Sequence, residues 1–158
     1  MTRAYIALGS NLGDPRQQVL AAMDALQALP DSKVLQRSRL YLTPPWGVLD
    51  QPQFVNAVVA IDTGLPPHAL LDALHLIERR AGRVRGERNG PRTLDLDLLY
   101  MDGVLIDDAR LTVPHPRIAE RAFVLLPLAD VAPDLHLPAG TVSQLLARLD
   151  VHGCQALA

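Results

Sequence analysis

The chain has 158 residues, 49% of them hydrophobic, and a formal net charge of −2. That is the length of one ordinary domain with enough apolar content for a core, while the near-neutral charge excludes a general nucleic-acid or membrane-surface binder. No apolar run approaches the ~20 residues of a membrane span, and Cys154, the only cysteine, allows neither an internal disulfide nor a multi-cysteine zinc site. The opening residues Met1 to Asn11 lack the long apolar stretch of a secretory signal, so a cytoplasmic location and a single domain over residues 1–158 are expected.

In chain order, Ala4 to Leu8 reads as a short buried strand ending in the turn cluster Gly9-Ser10-Asn11. Asp14 followed by Pro15 is a helix start, and Val19, Leu20, Met23 and Leu26 keep helical spacing up to Pro30. Val34 to Leu42 is extended. Residues 43 to 52, rich in proline, are irregular and contain Trp46, the only tryptophan. Phe54 to Asp62 is a strand with Val55, Ala57, Val59 and Ile61 on one face and Phe54, Asn56, Val58 and Ala60 on the other. A helix starts at Pro66 or Pro67, carries Leu70, Leu71, Leu74 and Ile77 inward, and stops at Gly82.

An arginine-rich loop follows to Pro91, then a strand from Thr93 to Met101. Asp102-Gly103 signals a tight hairpin returning through Val104 to Ile106. Ala119 to Ala129 is helical with Pro127 a kink point, and Thr141 with Gln144 forms a capping box for a last helix through Leu149. Strand, helix, strand, strand, helix, strand is the order of split β-α-β units, so the expected class is α+β: a ferredoxin-like α/β sandwich with a mainly antiparallel sheet.

The chemistry concentrates in Leu94-Asp95-Leu96-Asp97-Leu98-Leu99. Residues two apart on a strand share a face, so Asp95 and Asp97 project together. Two such carboxylates repel unless a cation or proton intervenes, and hard oxygen ligands suit magnesium. A half-buried strand face with alternating charge gives the same pattern. The neighbours Arg83, Arg85, Arg88 and Arg92 add phosphate-matching guanidinium forks, and Arg110, His115 and Arg121 lie downstream. Metal held by paired aspartates opposite several arginines is what a polyphosphate needs. No P-loop, protein-kinase signature or nucleophile elbow is present.

The segment Arg88 to Leu99 closely resembles the signature of the 6-hydroxymethyl-7,8-dihydropterin pyrophosphokinase family. Further matches run in order: Ala7 to Leu12, Tyr41 to Pro45, Phe54 to Ala57, Glu78, Gly82 to Arg85, Leu111 to His115 and Arg121 to Phe123. About the last two dozen residues carry little of the pattern, and Asn89 and Pro116 stand where many relatives carry an aromatic. The resemblance implies transfer of the β,γ-diphosphate of ATP to the hydroxymethyl oxygen of a reduced pterin, releasing AMP, with two magnesium ions on Asp95 and Asp97. It implies Glu78, Arg83, Arg85, Arg92, Arg110, Thr112, His115 and Arg121 on the ATP side, with Arg83 and Arg92 joining the two aspartates in catalysis. It implies Thr43, Pro44, Phe54, Asn56, Asp95 and Phe123 on the pterin side. Two rings can sandwich a flat heterocycle and an amide can meet its donor–acceptor edge; Phe54 and Phe123 as ordinary core residues is the plainer alternative. No general base is identified. A monomer without nucleic-acid or membrane partners is expected, with the loop around Trp46 packing over bound substrates.

Two other classes fit parts of the pattern. A D-x-D metal-dependent nucleotidyl or glycosyl transferase would use the aspartates but not Phe54, Asn56 and Phe123. A non-catalytic nucleotide- or RNA-binding module of the same shape would want a basic, aromatic sheet face, and here that face carries Asp95 and Asp97.

Overall fold

The computed structural model describes residues 1–45, 50–82 and 93–157. Its frame is a twisted sheet built outward from two long strands. Strand β1 (Thr2–Ser10) leads into helix α1 (Pro15–Gln27), started by the Asp14 side chain accepting from the Gln17 N–H at 3.2 Å with Pro15 in the first turn. Then come β2 (Ser32–Arg37), β3 (Tyr41–Thr43) and β4 (Phe54–Thr63). The single extended segment expected from Val34 to Leu42 is two strands on the same side of β4. At the break, the Ser38 N–H bonds to the Val58 carbonyl, while the Ser38 hydroxyl accepts from the Val58 N–H at 2.8 Å. A side-chain oxygen thus takes the place of a ladder carbonyl, which bends the strand without leaving the β4 amide bare.

Helix α2 (Pro67–Arg80) follows and closes at Gly82, whose φ of +83° is the left-handed turn that favours glycine. Strand β5 (Asp95–Met101) pairs antiparallel with the other side of β1. Gly103 makes the expected turn, with the Val104 N–H on the Met101 carbonyl. The expected return strand does not form. Residues Ile106–Asp107 (β6) pair instead with Thr112–Val113 (β7) as a separate ribbon, and the His115 N–H bonds to the Leu99 carbonyl of β5. Val104 and Ile106 pack on the core while Leu105 is exposed, so the alternation persists after the turn but serves the β6–β7 ribbon and not a pairing with β5.

A 3-10 turn (Ile118–Glu120) leads into α3 (Ala122–Val131), which runs through Pro127. A small ribbon of β8 (His136–Leu137) and β9 (Gly140–Thr141) precedes α4 (Val142–Ala147), capped by Thr141 and Gln144 as expected. Last is β10 (Gln155–Ala156), not foreseen in the sequence, which pairs with β3. The main sheet therefore runs β10-β3-β4-β1-β5, with β2 also on β4, and all its pairings are antiparallel.

The two faces of β4 divide as its alternation requires. Val55, Ala57, Val59 and Ile61 join α1 and α2 in one core; Val58 and Ala60 join α3 and α4 in another. The ferredoxin-like sandwich thus gains a second helical layer, and the site lies where that layer stops short of the sheet end.

Candidate active site

Fifteen side chains are expected at the site, and Arg83, Arg85 and Arg92 lie outside the described residues, as does Trp46. The other twelve all line one cavity of about 510 Å³, a size suited to small-molecule ligands. They come from six places: Thr43 and Pro44 at the end of β3, Phe54 and Asn56 on β4, Glu78 on α2, Asp95 and Asp97 on β5, Arg110 to His115 along the β6–β7 ribbon, and Arg121 with Phe123 at the start of α3.

On β5 the leucines are buried and the two aspartates are half-buried, so the carboxylates share the open face. The strand register then lays out the floor. Asp95 lies opposite Gly9, Gly9 opposite Asn56, and Asn56 opposite Tyr41, all on one face of the sheet. Gly9 is the gap in this row. A Cβ there would sit 3.3 Å from Asn56 Oδ1, crowding the amide that faces Asp95 across the floor. Sequence reasoning noted Gly9 as part of a turn and of the Ala7 to Leu12 match, without a role in the site.

Strand β5 ends the sheet path, so its outward N–H groups need partners from elsewhere. Glu78, only 4% exposed, provides one: its Oε2 accepts from the Leu96 N–H at 2.8 Å. The residue between the two aspartates is thereby anchored to α2. The turn after β1 anchors two more points. The Ser10 hydroxyl donates to the Thr93 carbonyl, and Asn11 Nδ2 donates to Gln51 Oε1 at 2.8 Å and to the Pro52 carbonyl at 3.0 Å. Both side chains are fully or almost fully buried, and they tie down where the chain enters β5 and β4. A run of small polar residues carries no signal of these long-range bonds.

His115 is fixed in one protonation state. Its Nδ1 accepts from the Arg117 N–H at 3.2 Å, leaving the proton on Nε2. Burial first, then the positive charge of Arg121, pushes its pKa down to about 4, with Asp95 acting in the opposite direction. At neutral pH His115 is an uncharged donor. Burial likewise lowers the pKa of Arg121, with Asp97 opposing, and an arginine so placed stays charged. Its guanidinium carbon lies 5.6 Å from the centre of the Phe123 ring.

Arg110 is held at the rim by Asp72 of α2, and its turn is shaped by Asp108, which accepts from the Arg110 and Leu111 N–H groups and pairs with His68 at 2.8 Å. Thr43 is 1% exposed and its hydroxyl has no hydrogen-bond partner among the described residues. A buried hydroxyl at a cavity wall without a partner is a group awaiting one. His75, Ala7 and Pro116 also line the cavity and were not anticipated.

Residues 5–133 match the family model described as 7,8-dihydro-6-hydroxymethylpterin-pyrophosphokinase (HPPK). A Pseudomonas aeruginosa protein named 2-amino-4-hydroxy-6-hydroxymethyldihydropteridine pyrophosphokinase is 53% identical over 98% of this chain and 96% of its own. A Bacillus subtilis protein of the same name is 46% identical over 81% of this chain and 77% of its own. Among solved structures, a Plasmodium falciparum HPPK-DHPS crystallised with pteroate superposes with a TM-score of 0.73 at 15% identity, covering 93% of this chain. The chain spans 42% of that longer protein, and the likeness bears on the fold.

Proposed function

Because this chain belongs to the 7,8-dihydro-6-hydroxymethylpterin-pyrophosphokinase family, and so transfers a pyrophosphoryl group from ATP to hydroxymethyldihydropterin in folate biosynthesis, we propose a division of its cavity into a pterin end and a triphosphate end that meet at Asp95 and Asp97. Membership decides against a D-x-D nucleotidyl or glycosyl transferase and against an RNA-binding module.

The row Asp95, Gly9, Asn56 carries this reading. It sets a carboxylate and a carboxamide on one floor with no side chain between them. At the pterin end, Phe54 and Phe123 hold the flat ring, Asn56 and the Thr43 hydroxyl meet its polar edge, and Pro44 closes the wall. At the other end, Arg121 and the neutral Nε2–H of His115 face phosphate oxygens, with Thr112, Arg110 and Glu78 beside the rest of ATP. Arg83, Arg85 and Arg92 are proposed for the same end from sequence.

Asp95 and Asp97 suit magnesium, two ions being proposed. They are paired carboxylates on one face, and the described residues hold no group of three or more metal-ligating side chains. The remaining coordination then falls to water and phosphate oxygens, as is usual for this ion. When bound, the metal supplies positive charge against the transferred phosphates and the leaving oxygen. The chain's own contribution is alignment: the hydroxymethyl oxygen bonds to the β-phosphorus and loses its proton to solvent, the bond from that phosphorus to the α,β-bridging oxygen breaks, and AMP leaves with the electron pair. The enzyme is proposed to act as a monomer in the cytoplasm, where its ATP is available.

Steady-state kinetics with each substrate varied tests the division. Asn56→Ala raises KM for the pterin and leaves KM for ATP, His115→Ala does the reverse, and AMP appears in step with pterin diphosphate. Equal effects of each variant on both substrates, or ADP as product, would overturn it.

A further inference from the structure

The segment after α4 shares least with the family pattern, yet it packs directly against the site. Strand β10 lies on the outer side of β3, with Gln155 opposite Leu42 and Ala156 opposite Tyr41. The Leu157 N–H bonds to the Leu40 carbonyl at 2.8 Å, and the Leu157 side chain packs on the core. Strand β3 is thus clamped between β4 and β10, and its last residue is Thr43. Just before β10, Gly153 turns at φ +85°, and a Cβ built on it would stand 3.0 Å from Cγ of Pro44. A small second hollow of about 170 Å³ is shared by Pro44, Pro45 and Phe123 on one side and by Leu149, His152 and Cys154 on the other.

We infer that residues 150–157 are a positioning element for the pterin end of the cavity, with Gly153 the residue that sets Pro44. This rests on the assignment of Thr43, Pro44 and Phe123 to the pterin. The physical reason is support. A three-residue strand followed by two prolines has few bonds of its own, so its position is decided by what lies on either side. On the inner side that is β4, which also carries Phe54 and Asn56; on the outer side it is β10. The contact at Gly153 admits an extra atom only if Pro44 gives by a few tenths of an ångström, and Pro44 is part of the cavity wall. The described ATP-side residues stand on other elements: α2, the β6–β7 ribbon and the start of α3.

The test compares two glycines in the same backbone state. Gly103 has φ +71° with nothing within 4 Å of its would-be Cβ, so Gly103→Ala reproduces the backbone strain without the contact. Pterin binding is titrated by pterin fluorescence, and nucleotide binding by calorimetry with a non-hydrolysable ATP analogue and magnesium. Gly153→Ala weakens pterin binding roughly tenfold, the effect of about a methyl's misfit in a pocket, and leaves nucleotide binding within about twofold; Gly103→Ala changes neither. Leu157→Ala, which loosens β10 in the full-length chain without touching Gly153, shows the same selective loss, so the role is measured even should Gly153→Ala fail to fold. Equal weakening of both ligands, or of neither, overturns the role of the segment. Phe54→Ala, run alongside, separates the two levels. If it abolishes pterin binding while Gly153→Ala does nothing, only the positioning role falls. If it leaves pterin binding intact, the pterin end itself is misassigned and the role falls with it.

Discussion

Single side chains in this site owe their character to what surrounds them. Asp95 and Asp97 owe theirs to the alternating Leu94, Leu96 and Leu98, which face the core and force the carboxylates onto one open face. Asp95→Ala or Asp97→Ala leaves those leucines in place, so the fold survives and the melting transition moves little. Turnover falls by roughly 10³-fold or more, the cost of losing a metal ligand that stabilises developing charge; near-normal turnover at ordinary magnesium in either variant refutes its role. His115 gives a second, separable signature. Its folded-state pKa of about 4 lies below the ordinary 6.5, through burial first and Arg121 second. Between those values the unfolded chain binds the proton that the folded chain refuses. This residue's contribution to stability is therefore fully present above pH 6.5 and lost as pH falls towards 4. In chelator-treated protein, the stability of the parent minus that of His115→Gln rises with pH across this window and is flat above it. Parallel pH curves would show that His115 titrates normally.

At the scale of elements, local pattern told more about strands and helices than about what anchors them. The Asp14-Pro15 start, the two faces of β4, the stop at Gly82 and the Thr141–Gln144 box were legible because each rests on neighbours in sequence. The return strand after Gly103 was misread because a turn residue specifies the turn and not the partner; the backbone of His115 takes the bond on Leu99. Strand β10 was missed because two residues have no periodicity. Asp95, Asp97 and the arginine run were legible through type and spacing and most other expected site residues only through the family resemblance, whereas the anchors Ser10, Asn11 and the Leu96 bond of Glu78 depend on contacts remote in sequence. The last of these makes a sharp prediction. Glu78→Ala leaves the Leu96 N–H buried without this acceptor, costing about 1–3 kcal/mol, and Leu96 amide exchange accelerates. Glu78→Gln keeps a neutral oxygen at the same reach and restores most of the protection. Unaltered Leu96 exchange in Glu78→Ala would mean that α2 does not hold the aspartate strand.

For the whole molecule, the sheet separates two cores with different duties. The core under α1 and α2 is filled by apolar residues such as Met23, Leu26, Leu70 and Leu74, and it meets the cavity through Leu8, Ala57, Leu71, Leu96, Leu98 and Leu111. The core under α3 and α4 is shorter, and where it ends the sheet face opens as the cavity. Helix α3 belongs to both: Leu125 and Leu128 are fully buried against the sheet, Phe123 and Val124 line the cavity, and Asp130 accepts the Tyr41 hydroxyl at 2.9 Å and pairs with Arg39 at 3.1 Å. Among the described residues that line the cavity, none comes from α1. Equal damage to the two cores should therefore have unequal consequences. Met23→Ala and Leu125→Ala each delete a buried side chain and cost about 2–5 kcal/mol, lowering the melting temperature comparably. Collapse around Met23 moves α1, which holds nothing in the site. Collapse around Leu125 shifts the start of α3, and with it Phe123 and Arg121, by fractions of an ångström that matter where a ring must be held flat. At a temperature where both variants remain folded, Leu125→Ala raises KM for the pterin by roughly threefold or more, and Met23→Ala leaves it unchanged. A like rise in both would mean that the cavity answers to global stability, and that the second helical layer has no share of its own in placing the pterin.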